Sequence, residues 1–302
     1  MHYKNIVCKT ALNKISLGVP YKYDLNIYRG CAHGCKYCFA LYTHKYISQN
    51  ADTAGYFNEI FIKTNIAEAL EKTFRQKTWK GDIINIGGVT DSYQNIEKET
   101  GLTRQILKLC IKYKNPVTIS TKSSLILRDY DLIDELSKTT FVGIASTITT
   151  PYDDLSKILE PQACSATKRF KALQTLSKTS ASIGIHIMPV IPYLTDTPEA
   201  INLIYENAVK INANYLIYDK LNLRGDTKKT FLNFLYKYNP DIYRKLVKLY
   251  RDTNAVHEYK LNLEQIFNAA RIKYNVTPHY SKYIKQKLPK KTKPVQCEFN
   301  LR

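Results

Sequence analysis

Short apolar, β-branched runs recur along the chain at Tyr23–Tyr28, Ile83–Gly87, Pro116–Ser120, Phe141–Ile148, Ile183–Ile191 and Tyr215–Tyr218. Each has the length of a strand buried within a parallel sheet. Between them, apolar residues fall at helical spacing in Ala67–Arg75, Leu102–Tyr113, Leu132–Leu136, Ala166–Leu176 and Pro198–Ile211. Thr195-Asp196-Thr197-Pro198 reads as a helix start, with Thr197 as cap and Pro198 in the first helical position, and Asp129 begins the helix after the third strand. Such alternation predicts an α/β fold, a partial (β/α)6 barrel with right-handed crossovers. Its chemistry then belongs on the loops at the C-terminal ends of the strands.

Beyond about Asn222 the rhythm stops, and Thr230–Tyr238, Ile242–Arg251 and Leu261–Tyr274 read as helices around Pro240. The expected organisation is an N-terminal extension (1–22), a barrel core (23–220) and a helical C-terminal extension (221–302) ending in a basic tail. That tail carries Lys282, Lys285, Lys287, Lys290, Lys291 and Lys293, interleaved with Tyr280 and Tyr283. It reads either as a nucleic-acid arm or as a solvated terminus.

With 44% hydrophobic residues the chain can bury a substantial core, which excludes a disordered protein. No run approaches the roughly 18 apolar residues of a membrane span, and the N-terminus lacks the order of a signal peptide. The expectation is a cytoplasmic protein with no membrane partner. A formal charge of +19 favours a polyanionic partner such as nucleic acid, against the plainer reading of a compositional bias toward lysine.

Seven cysteines, an odd number, make a disulfide framework improbable and turn attention to metal or redox chemistry. Cys8, Cys110, Cys164 and Cys297 are dispersed, whereas Cys31, Cys35 and Cys38 share one segment with C-x3-C-x2-C spacing. One loop so spaced can wrap three corners of an iron–sulfur cubane, with Gly30 and Gly34 permitting close backbone approach. Three ligands leave one iron open to a substrate or cofactor. The competing reading is a structural zinc site completed by His33 or His44, although zinc ligands usually come in two pairs on separate loops. His33 is alternatively a hydrogen-bond donor beside the cluster.

The segment Tyr28-Arg29-Gly30-Cys31-Ala32-His33-Gly34-Cys35-Lys36-Tyr37-Cys38-Phe39-Ala40 resembles the radical S-adenosylmethionine (SAM) signature. The stretch from Tyr28 to about Tyr238 resembles the spore photoproduct lyase-like family. Matching motifs include Trp79-Lys80-Gly81, Thr90-Asp91-Ser92-Tyr93-Gln94, Thr121-Lys122-Ser123, Leu159-Glu160-Pro161 and Pro189-Val190-Ile191-Pro192. The resemblance implies a [4Fe–4S] cluster on the three cysteines, whose unique iron chelates SAM. Reductive cleavage then gives a 5′-deoxyadenosyl radical that abstracts hydrogen from substrate. It also implies a reductant such as flavodoxin or ferredoxin.

By the same resemblance, Gly87 and Gly88 let backbone approach the methionine part of SAM. Thr90 and Asp91 are candidates for polar contacts to SAM, Lys122 for its carboxylate, Tyr37 for its adenine and Ser146 for its ribose. Glu97, Glu99 and Arg104 read as readily as helix-dipole and ion-pair residues, and His186 as a core histidine or a cavity residue. Two positions depart from the lyases. Their hydrogen-returning cysteine aligns with Gly88, and the tyrosine after their last cluster cysteine aligns with Phe39, which has no phenolic hydrogen. Cys164 is the better substitute hydrogen donor, since Cys110 falls within a helix. The leading expectation is a lyase-like radical SAM enzyme acting on nucleic acid, with DNA favoured and DNA repair one reading of it, and with a substrate different from that of the lyases. The alternatives are a radical SAM enzyme modifying a peptide or small molecule, and a non-catalytic zinc-binding protein.

Overall fold

The computed structural model describes residues 1–15, 19–47, 53–250, 256–280 and 283–284. Its strands, in chain order, are β1 (His2–Ile6), β2 (Leu12–Lys14), β3 (Tyr23–Leu25), β4 (Tyr28–Arg29), β5 (Glu59–Lys63), β6 (Ile84–Ile86), β7 (Val117–Thr121), β8 (Val142–Thr147), β9 (Ser182–Val190) and β10 (Tyr215–Lys220). β3, β6, β7, β8, β9 and β10 run parallel and adjacent in that order, with β2 antiparallel on the β3 edge. This is the partial (β/α)6 barrel that the pattern predicts, and helices 225–238, 240–249 and 257–274 form the helical C-terminal region.

The strands alternate more than fully buried strands do. Leu25, Ile84, Ile86, Val117, Ile119, Val142, Ile144, Ile183, Ile185, Ile187 and Leu216 are buried in one core with residues of the surrounding helices, such as Leu70, Ile106, Leu136 and Ile204. The opposite parity is polar or small. Asp24, Asn85, Thr118 and Gly143 are register partners across four neighbouring strands, and Ser120, Ala145 and Gly184 form the next row. The barrel therefore turns a hydrogen-bonding face inward while its outer face drives folding by apolar burial.

Large rings close the end of the barrel where the strands begin. A Cβ on Gly184 would lie 2.1 Å from Tyr215 Cζ, so the missing side chain makes room for that ring. Tyr280 lies 5.6 Å from Tyr215, and Ile284 packs with Ile83 and Phe141, which precede β6 and β8. The described chain thus ends at the pole opposite the C-terminal loops. Of the basic tail, Lys282, Lys285, Lys287, Lys290, Lys291 and Lys293 lie outside the described residues, as does Cys297.

The structure corrects the first predicted strand, which is two. After β3 the Asn26 side chain accepts the Val89 N–H (2.9 Å), and its carbonyl accepts Lys63 Nζ (2.7 Å). The chain there leaves the barrel, and β4 pairs antiparallel with β5 in a second sheet, ordered β1-β5-β4. Thr197 caps its helix by accepting the Ala200 N–H (3.2 Å). Asp129 does precede the helix at 130–139, yet its side chain makes no capping bond, because Arg104 (3.1 Å) and Arg128 (2.8 Å) hold the carboxylate.

Candidate active site

The three cysteines stand on a loop fixed from every side. The Cys31 N–H donates to Tyr56 O (3.0 Å), the Lys36 N–H to Leu159 O (2.9 Å), and Thr227 Oγ1 to Cys38 O (2.9 Å). Gly30 is left-handed at φ +80°, and a Cβ there would lie 2.6 Å from Glu59 O and 2.8 Å from Tyr56 O. Both backbone and space demand glycine. Gly30→Ala is therefore expected to lower the melting temperature by several degrees and the iron retained after reconstitution, read by scanning calorimetry and iron assay.

Gln94, fully buried, holds the same loop: its Oε1 accepts the Ala32 N–H (2.9 Å), and its Nε2 donates to Gly30 O (3.3 Å). The sequence offered a signal for it only within the Thr90–Gln94 motif. Thr90 donates its hydroxyl to Gly30 O (2.6 Å). Asp91 is buried and satisfied. It accepts from the Tyr93 N–H (2.8 Å), Thr121 Oγ1 (2.7 Å) and the Lys122 N–H (2.8 Å), and His33 Nε2 lies 2.9 Å away. Although burial opposes its charge, these partners, His33 above all, hold Asp91 well below the usual carboxylate range. In place of a free ligand contact, Asp91 ties the cluster loop to the end of β7.

Lys122, half-buried at that strand end, places Nζ 5.8 Å from the Tyr37 ring centroid. Burial works to lower its pKa, and the neighbouring Cys35 and Glu160 outweigh it, so the ammonium persists. Beneath Tyr37 lies a buried network that the sequence reading did not assign. The Tyr37 hydroxyl contacts Thr149 (3.0 Å) and donates to Glu160, whose other oxygen is 2.5 Å from the Arg169 guanidinium. Arg169 also donates to Cys164 O and Thr147 O, both at 2.8 Å. The Leu159-Glu160-Pro161 motif was the one visible trace of this network.

Two further expectations change. By the alternation of β8, Ser146 falls on the face of Ile144, and its hydroxyl donates to Thr121 O (2.8 Å), which places it outside the inward row expected of a ribose contact. The space beside Gly88 is filled by the Asp24 carboxylate, 2.3 Å from an ideal Cβ, where a methionine approach had been expected. Gly87, at φ +90°, forms the turn after β6. Cys164 does reach the strand ends: half-buried, it donates its thiol to Lys122 O (3.1 Å), while Cys110 is buried in the helix at 102–113. Glu97 is a structural anion held by Arg128 (2.7 Å) and Tyr28 (2.5 Å), and Arg104 pairs with Asp129 and Asp131. His186 lies between Ser120 Oγ and Tyr215 OH, each at 3.3 Å, and burial lowers its pKa to about 4, so it is neutral.

The cysteines suit an iron–sulfur cluster. None is in a disulfide, and burial raises all three, Cys31 to about 12. Such thiols ionise when they bind metal. Among the described residues no group of three or more His, Cys, Asp or Glu side chains is arranged to hold a single metal ion. A cluster spreads its cysteines over separate irons.

A family model for the radical SAM superfamily matches residues 25–204. The chain belongs to this superfamily and is an enzyme whose cofactors are a [4Fe–4S] cluster and SAM. It is 32% identical to an uncharacterised protein of Methanocaldococcus jannaschii over 222 residues, covering 74% of this chain and 78% of that one. Over 251 residues it is 29% identical to an uncharacterised protein of Mycobacterium tuberculosis (strain H37Rv), covering 82% and 74%. Its fold matches spore photoproduct lyase complexed with dinucleoside spore photoproduct at a TM-score of 0.62 and 14% identity, over 90% of this chain and 79% of the lyase. No helix of the described residues is long and apolar enough to cross a membrane.

Proposed function

We propose that this radical SAM enzyme acts on nucleic acid. The reading rests on exposed aromatic side chains around the cysteine loop of a chain that carries +19 charge. Phe39, Tyr42 and Tyr46, on the turn of helix at 39–46 directly after Cys38, are 60%, 48% and 76% exposed. Tyr152 and Tyr193, also exposed, follow β8 and β9. Exposed rings cost solvation, and rings set among cations are what unstacked bases bind.

In this reading Cys31, Cys35 and Cys38 hold the cluster, and the Lys122 ammonium pairs with the SAM carboxylate. Gly87 lets backbone approach the cofactor, and Tyr37 lines its adenine. The cluster and SAM supply a one-electron cleavage that yields a hydrogen-abstracting carbon radical. Asp91 keeps the loop and strand end in register, Tyr37 is oriented by Glu160, and Cys164 stands at the strand ends with a transferable hydrogen. Gly88 and Phe39 offer neither thiol nor phenol, so the hydrogen-return route differs from that expected of a spore photoproduct lyase.

The test is 5′-deoxyadenosine formation by the anaerobically reconstituted, reduced protein with SAM, with and without intact or damaged DNA. Stimulation by one nucleic acid supports the reading, and equal formation with and without every nucleic acid overturns it. Tyr42→Ala and Tyr46→Ala are each expected to weaken single-stranded DNA binding about tenfold, measured by fluorescence anisotropy. Deleting residues 285–302 is expected to lower the salt sensitivity of binding, because six basic residues leave with that segment.

A further inference from the structure

Asp24 sits where two observations meet. Thr118 Oγ1 donates to Asn85 Oδ1 (3.1 Å), which fixes the amide so that Nδ2 donates to Asp24 Oδ1 (2.8 Å). This directional chain across β7, β6 and β3 occupies one carboxylate oxygen. The other, Oδ2, occupies the place of a Gly88 side chain, 2.3 Å from an ideal Cβ, so any larger residue at 88 would evict it. Gly88 adjoins Val89, whose carbonyl accepts the Tyr56 hydroxyl (2.6 Å) and whose side chain packs against the cluster that contains Cys31 and Tyr56. The oxygen thus lies between the cysteine layer and the polar row beneath it.

Among the described residues no lysine or arginine pairs with Asp24, although the chain holds 45 of them. A half-buried carboxylate without a counter-charge costs stability and is retained where a ligand satisfies it. Thr118, in the same row, lies four residues before Lys122 along β7, so the row sits below the strand end where Lys122 stands, which favours a ligand reaching deeper than SAM.

We propose that Asp24 is a substrate-reading residue whose Oδ2, given room by Gly88, accepts a hydrogen bond from an amino or imino N–H of a nucleobase held in the barrel mouth. The proposal rests on the nucleic-acid reading and narrows it to bases that present such a donor at this point. An asparagine at 24 would keep its oxygen on Asn85 and turn an NH2 group toward the base, exchanging acceptor for donor.

The experiment compares wild type with Asp24→Asn, Gly88→Ala and the double variant Asp24→Ala/Gly88→Ala, in which the clash is absent. Single-stranded oligo-dA, oligo-dC, oligo-dG and oligo-dT are the probes, read by stimulated 5′-deoxyadenosine formation, with SAM affinity measured separately by equilibrium dialysis. Wild type should rank the four oligonucleotides. All three variants should lower kcat/KM for the preferred one about tenfold and flatten the ranking. An unchanged ranking in the variants overturns the assignment, and so does a loss of SAM affinity, which would place Asp24 on the cofactor. A wild type stimulated equally by all four overturns the base-reading assignment alone, whereas formation unaffected by every nucleic acid, intact or damaged, sinks the nucleic-acid reading and this proposal with it.

Discussion

Cys35→Ala is expected to abolish 5′-deoxyadenosine formation, with a fall of more than about a thousandfold, and to deplete iron and sulfide in the same preparation. The thiol is buried beside Cys31 and Cys38, and the Lys36 N–H next to it is anchored on Leu159 O. Among the described residues neither Cys164 nor Cys110 is placed to replace it. Cys164 is turned to the Lys122 carbonyl, and Cys110 is enclosed by the helix at 102–113. Cys110→Ala is the matching control: it removes a fully buried thiol and costs stability through a small cavity, yet should retain iron. Iron assay, absorption spectra and chromatographic detection of 5′-deoxyadenosine read both variants. A Cys35→Ala protein with full iron would contradict the ligand assignment, and a colourless, zinc-loaded wild type would contradict the cluster.

The barrel was legible because each central strand carries branched apolar residues on its outer face, and those runs are visible in one dimension. The inner face was less legible. Asp24, Asn85 and Thr118 are far apart in the chain and become neighbours only through parallel register. The relation between Gly88 and Asp24 is of the same kind, since a glycine in sequence does not reveal which atom fills its missing side chain. β1 and β5 escaped notice because His2–Ile6 is mostly exposed and its pairing spans the whole cysteine segment. That Cys31, Cys35 and Cys38 share one loop was readable from their spacing, while the cluster they are expected to hold came from the family resemblance. Asp91 was recognisable as a residue of the site, but its task depends on donors from Tyr93, Thr121, Lys122 and His33, brought together by the fold. Ser146 shows the converse: a polar residue near a strand end reads as a ligand contact, while parity sets it on the face of Ile144 with its hydroxyl on Thr121 O.

Arg169→Met is expected to destabilise the protein by about 3–5 kcal/mol, because it leaves the Glu160 carboxylate buried without its counter-charge. Both side chains are 1% exposed, so water cannot take the place of the guanidinium. Glu160→Gln/Arg169→Met should recover much of the loss, since the penalty belongs to the unpaired charge more than to the missing pair. The pH dependence separates this from simple loss of packing. In the wild type the Glu160 pKa is lowered: burial opposes the charge, but Arg169 and Lys122 outweigh it. Its contribution is therefore complete above the ordinary glutamate pKa of about 4.3 and is lost as pH falls below it. Without Arg169, burial dominates and the folded-state pKa rises above the unfolded one. The sign then reverses, and protonation of Glu160 relieves the variant as pH falls. Anaerobic urea unfolding of the cluster-loaded proteins between about pH 5 and 8 should show the deficit of Arg169→Met shrinking toward pH 5, while the wild type changes little over that span. A deficit constant with pH would assign the loss to packing and to the Cys164 and Thr147 carbonyls that Arg169 also holds. Because Glu160 orients Tyr37 beside the cluster loop, the first reading further requires that iron retention in Arg169→Met recover in the double variant.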